Sequence, residues 1–219
     1  MTPKKIERVK KKIADIKRTL AAEKRKFGCY DDGRGLRYLP TKYFMQLADY
    51  SGGLAYTKWF DKNFPDDSGF PDFLFEWTII LFKTGKTKEA EKKAFQTFCS
   101  NTYLFDKYFG RQITPIDKWE GSNLEIPAFT KYLDYSIEQN ELSDFSKWLY
   151  TLISTQNFIN RSNKFIDIQK RLKTEDDEET RHYLVETASQ LEQLSWRKTT
   201  ATNIGIANSG AGRKYNEQQ

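Results

Sequence analysis

The chain has 219 residues, 38% hydrophobic and 30% charged, a length that suits one domain or one domain with appendages. Aromatic residues reach 15%, which excludes a chain disordered throughout, because each aromatic side chain buries a large area and fills a core at modest apolar content. The net charge of +6 is concentrated at the start: residues 1–26 hold eleven Lys and Arg against Glu7, Asp15 and Glu23, so the remainder is near neutral and any pull on anions is expected from this segment.

Residues 1–27 read as a basic amphipathic helix. Ile6, Val9, Ile13, Ile16 and Leu20 recur three and four apart, with Phe27 seven beyond Leu20, and Pro3 sits where a first helical turn tolerates it. The stripe is narrow and must pack on the body or on a second copy, so a homodimer through this helix is one expectation. A solvated face and a contact of residues 4–26 with nucleic acid or an acidic partner are the others. No stacking aromatics accompany the basic residues, as an RNA or DNA surface usually requires.

Gly28, Gly33, Gly35 and Pro40 break the pattern. Thr41 is expected to cap a helix carrying Tyr43, Phe44 and Leu47, which Gly52 and Gly53 would end. A second helix carries Leu54, Ala55, Trp59 and Phe60 and stops before Pro65. Pro71 opens a helix through Phe73, Trp77 and Leu81, Gly85 breaks it, and Thr87 caps its successor with Ala90, Ala94 and Phe98 on one face. A short helix follows at Tyr103 to Phe109, with Gly110 as its C-terminal cap.

Residues 111–127 read as a long connection, a length often functional or packed on the surface. Residues 128–196 read as C-terminal helices. The first carries Phe129, Tyr132, Leu133 and Ile137, the next Phe145, Leu149 and Leu152, and a third Phe158, Phe165, Ile168 and Leu172. The last starts on the acids of residues 175–179, which suit the positive end of a helix dipole, and runs through Leu184, Ala188, Leu191 and Leu194. Residues 197–219 lack apolar period and are expected to be a disordered tail. No segment alternates like a strand, so the expected class is all-α.

Within residues 28–110, the pattern Leu74, Trp77, Leu81, Phe82, Gly85, Ala90 and Ala94 resembles a tetratricopeptide repeat (TPR), a helix-turn-helix unit. Residues 43–65, with Leu47, Gly52, Gly53, Ala55 and Trp59, look like a more degenerate unit. The chain departs from the family at Thr78 and Thr97, which stand at small positions, and no Pro closes the unit near Thr102. The resemblance implies a right-handed array of antiparallel helical hairpins between the basic helix and C-terminal capping helices. It also implies a protein-interaction scaffold that holds a peptide or protein partner in a concave groove. No ligand-contacting residues carry over, because no clamp motif matches.

Six residues of the linker, Tyr30, Asp31, Asp32, Arg34, Arg37 and Tyr38, are the candidate binding residues, since charged groups stand beside Gly33 and Gly35. The alternative is a turn whose acids and arginines satisfy one another. An enzyme reading would use the same carboxylates and arginines on a phosphorylated or nucleotide substrate. No catalytic residue, metal site or cofactor is expected: His182 is the sole histidine, and Cys29 and Cys99 have no visible partner base. Two cysteines are too few for a disulfide scaffold, which points to a reduced cytoplasmic setting. No apolar run follows the basic start, and residues 73–82, interrupted by Glu76, are about half the ~20 residues a bilayer needs, so neither secretory signal nor membrane contact is expected.

Overall fold

The structure, a computed structural model, describes residues 1–30 and 32–193, and every regular element among them is helical. The expected tail and Leu194 lie outside the described residues. Among those described, no helix is long and apolar enough to cross a membrane.

Helix α1 (Pro3–Phe27) opens with Pro in its first turn and ends on Gly28, whose φ of 74° is left-handed. Its stripe is spent within the chain. Val9 and Ile13 pack with Phe44 and Tyr56, and Ile16 and Leu20 are also buried, whereas Phe27 is exposed. Helices α2 (Leu39–Leu47) and α3 (Tyr50–Asn63) follow.

The turn between α2 and α3 is not at Gly52 and Gly53. It falls at Ala48, which takes the left-handed conformation, and Asp49, whose side chain accepts the Gly52 N–H at 2.8 Å as an N-cap. Both glycines belong to the first turn of α3, where they serve close approach. A Cβ on Gly52 would meet Asp49 Oδ2 at 2.3 Å, and one on Gly53 would meet Ile80 Cδ1 at 2.9 Å. Thr41 is likewise no N-cap: it lies inside α2, after Pro40, and its hydroxyl turns inward.

Helices α4 (Pro71–Lys83) and α5 (Thr87–Ser100) form the central hairpin. α4 is apolar around most of its circumference, as a helix covered on several sides must be, and it packs against α2, α3, α5 and α7. Gly85 makes the turn with φ 73°, while Lys86 N–H reaches back to the Leu81 carbonyl at 2.8 Å. Thr87 is the first residue of α5 and makes no side-chain cap. Ala90 and Ala94 are fully buried and let the helices close. Thr78 and Thr97 meet there too, their hydroxyl oxygens 3.2 Å apart, each also bonded to the carbonyl four residues earlier. Those backbone bonds let two threonines occupy a closely packed seam without an orphaned donor.

The short α6 (Leu104–Tyr108) is followed by Gly110 at φ 65°, with Arg111 N–H bonded to Asp106 O at 2.8 Å. The helix expected through Phe129, Tyr132, Leu133 and Ile137 does not form. Only one tight 3₁₀ stretch, Pro127–Tyr132, is present, and Leu133 is already extended. Leu133 is buried while Tyr132 and Ile137 are exposed, so their helical spacing was accidental. Helices α7 (Ser143–Ile153), α8 (Gln156–Thr174) and α9 (Glu178–Gln193) complete the chain. Thr155 caps α8 through the Phe158 N–H. α7, α8 and α9 share with α4, α5 and α6 the largest core, which includes Phe75, Phe95, Phe145, Phe158, Phe165 and Leu184.

Candidate functional site

The linker candidates mostly satisfy one another. Asp32 is buried, and its carboxylate accepts the backbone N–H groups of Leu36 at 2.8 Å and Arg37 at 2.7 Å. The Arg37 guanidinium donates to Asp67 at 2.6 Å, to the Asp32 carbonyl at 2.9 Å and to Tyr38 Oη at 2.8 Å. Tyr38 donates to Asp67 at 2.7 Å, and its ring stacks on Phe70, centroids 4.4 Å apart. Burial and the Asp67 carboxylate raise the Tyr38 pKa. Tyr30 packs edge-on against Trp59 and donates to Asn63 at 3.1 Å. Arg34 points outward, 4.0 Å from Glu23. Asp31 lies outside the described residues. The structure therefore brings Asp32, Arg37 and Tyr38 together around Asp67, whose role no local motif announces. Their donors and acceptors are occupied by a tie between the linker and the loop before α4.

A second polar cluster centres on buried Glu76 and Thr41, with half-buried Asp72 and Tyr135 beside them. Glu76, in the middle of α4, has a carboxyl oxygen 2.6 Å from Thr41 Oγ1 and accepts from Tyr135 at 2.9 Å. Burial pushes its pKa up to about 8, and nearby Asp72 adds to the effect. Burial raises Asp72 as well, and its Oδ1 finds no partner among the described residues. The one signal was an acid interrupting an apolar run.

An open groove of about 650 Å³ is walled by the loop at residues 65–69, α4, α5, the connection at 111–127, α8 and α9. The connection is tied to the helices by hydrogen bonds. Asn101 donates to the carbonyls of Leu124 at 2.7 Å and Ile126 at 3.1 Å, Tyr103 Oη receives the Ile116 N–H at 3.1 Å, and the Trp119 backbone N–H reaches the Gln169 backbone carbonyl at 2.9 Å. The Trp119 indole packs closely against Gly121, where a Cβ would stand 2.7 Å from the ring. From α4 and α5 come Trp77 and Lys93, the ammonium 3.7 Å from the indole centroid. Burial lowers Lys93 to about 8. From α9 comes Glu192, raised to about 7 by burial and further by the charge of Glu125.

Aromatic walls with a few convergent groups of displaced pKa are the usual composition of a binding groove. Sequence reasoning missed Trp77, Lys93, Trp119, Glu125, Gln169 and Glu192 as a set, because they come from segments distant in the chain. The length of the 111–127 connection was the only pointer. Among the described residues no group of acids, histidines and cysteines could hold a metal ion. Comparison with protein-family models, with curated proteins and with solved structures finds no match.

Proposed function

We propose that the chain is a protein-interaction scaffold of helical-repeat type that holds a peptide or protein segment in the groove between α4–α5 and α8–α9. In this reading α2–α3 and α4–α5 are successive TPR-like hairpins of a right-handed array, α1 covers one end, and the C-terminal helices close the other. The observation that carries it is the groove itself: about 650 Å³, faced by Trp77 and Trp119, with Lys93 and Glu192 present but not paired with one another. The linker cluster supports the reading by default, since its polar groups are already consumed.

A photo-crosslinking residue placed at exposed Ser189, on the α9 lip, tests this in cell extract against the same residue at exposed Tyr150 on α7. The expected result is one discrete protein adduct from position 189 and none from 150. Equal labelling from both, or no adduct, contradicts it.

A second reading has its own observation. Lys4, Lys5, Arg8 and Lys11 are exposed on α1 with no ion pair among the described residues, a face suited to phosphate. Binding of DNA or RNA through this face would weaken steeply with salt, and no binding at low ionic strength ends it.

A further inference from the structure

One wall of the groove carries two carboxylates and an unpaired amide oxygen. Gln169 is only 6% exposed, lines the groove, and its Oε1 accepts no hydrogen bond among the described residues. Its backbone is fixed, because its carbonyl receives the Trp119 N–H at 2.9 Å. Glu125 is aimed by its own loop: one carboxylate oxygen accepts from Gly121 N–H at 3.2 Å and the other from Ser122 Oγ at 3.3 Å. Glu192 stands near enough to Glu125 to feel its charge, and among the described residues neither acid is in a salt bridge. Two half-buried carboxylates and an orphaned amide oxygen are costly together unless a donor arrives.

The missing group has a defined chemistry. It must be cationic, offer several N–H donors, and tolerate an indole beside it, since Trp119 lines the groove, is 37% exposed and packs against Gly121. A guanidinium meets all three conditions: its planar fork bonds carboxylates and amide oxygens together and stacks on aromatic faces. An ammonium meets the first two with less directional fit.

We propose that Glu125, Glu192 and Gln169, with Trp119, form a subsite for a basic side chain, arginine above lysine, presented by an extended segment of a protein partner. The proposal rests on the reading of the groove as a peptide-binding surface and names the partner's anchoring chemistry. The free energy of the contact comes from relief of carboxylate repulsion and from pairing Gln169 Oε1, so it depends on charge and not on apolar area alone.

The experiment is selection of a random-peptide display library on the full chain, with Ser189→Trp, which fills the groove from an exposed position, as the counter-target. Thermal melts first establish that Ser189→Trp, Glu125→Gln and Glu192→Gln are folded. The expected peptides share an Arg or Lys at one position, and replacing it by norleucine weakens binding about tenfold, the scale of one charge-assisted contact. Glu125→Gln and Glu192→Gln each weaken the basic peptide and leave the norleucine peptide unchanged. Groove-dependent peptides with no shared basic residue overturn the subsite and leave the groove reading standing. Peptides indifferent to Ser189→Trp, or none at all, overturn both. A dimer of the chain that Ser189→Trp dissociates makes a second copy the occupant and overturns the partner proposal.

Discussion

Tyr135 donates its hydroxyl proton to Glu76 Oε1 across 2.9 Å, tying the segment after the 111–127 connection to the centre of α4. On the other side Thr41 Oγ1 lies 2.6 Å from Glu76 Oε2 and 3.0 Å from the Tyr38 carbonyl. A hydroxyl has a single proton. If Thr41 gives it to Tyr38 O, the short contact to Glu76 needs a proton on the carboxyl. The relay then runs from Tyr135 to Glu76 to Thr41 to Tyr38, every group satisfied.

Burial, against the lowering effect of these two hydrogen bonds, pushes the Glu76 pKa up to about 8 from an ordinary value of 4.5. Between those values the folded chain holds a proton that the unfolded chain has lost, so stability contributed by this group is complete below about pH 4.5 and is lost as pH rises through about 8. The slope is about 1.4 kcal/mol per pH unit. Glu76→Gln keeps the relay, with an amide donating to Thr41, and should cost under ~1 kcal/mol at neutral pH. The unfolding free energy of wild type should fall relative to that of Glu76→Gln as pH rises through that window, by about 1.4 kcal/mol per unit. A difference independent of pH refutes the protonated relay.

In the linker, Asp32→Ala orphans two backbone N–H groups and uncouples Arg37, and should destabilise by ~2–3 kcal/mol. Arg37→Ala should cost a similar amount, because Asp32 and Asp67 lose their shared cation. Arg34→Ala, at an exposed position, should stay within ~0.5 kcal/mol. Denaturant melts check all three. An Asp32 or Arg37 variant of wild-type stability would return these residues to the list of ligand contacts.

Helix propensity alone predicts that Gly53→Ala stabilises α3 by about 1 kcal/mol. Packing reverses the sign. The new Cβ would lie 2.9 Å from Ile80 Cδ1, a fully buried side chain at the α3–α4 contact. A net loss of ~1–2 kcal/mol is expected in thermal or urea unfolding. Gly33→Ala, with nothing within 4 Å, should be close to neutral.

Because Glu192 titrates near 7, affinity for a basic peptide in the groove should rise between about pH 6 and about pH 8 as its carboxylate forms. Glu192→Gln should flatten that profile. Titration calorimetry at a few pH values reads both. A wild-type profile as flat as that of Glu192→Gln contradicts the role given to this acid.

The helices were legible wherever apolar spacing reflected burial. Val9, Ile13, Ile16 and Leu20 are all core, and so are Ala90 and Ala94. Gly85 was legible because its turn needs a left-handed residue. Gly52 and Gly53 misled for the opposite reason: they are small where Asp49, Phe44 and Ile80 crowd them, and the left-handed position went to Ala48. Spacing also failed at residues 129–137, where Pro127 opens a 3₁₀ stretch and backbone groups bond elsewhere, Ile137 N–H to Tyr108 O at 3.1 Å for example.

The groove was illegible for a deeper reason. Gln169 and Glu192 look like ordinary solvent-facing positions of polar helices, and only the packing of α8 and α9 against α5 turns them inward. Cys99, noted as a lone thiol, lines the same groove, but burial raises its pKa well above the ordinary value, consistent with an inert packing role.

Tryptophan side chains offer the most direct reading of the groove, since each indole N–H gives its own signal in a ¹H–¹⁵N spectrum. Trp77 and Trp119 line the groove, while Trp59 and Trp148 sit in aromatic clusters elsewhere. Titration of the labelled full chain with a selected arginine peptide should move the Trp77 and Trp119 indole signals together and leave Trp59 and Trp148 in place. Shifts confined to Trp59 or Trp148, or to the amides of α1, would place the binding surface elsewhere and contradict the scaffold reading.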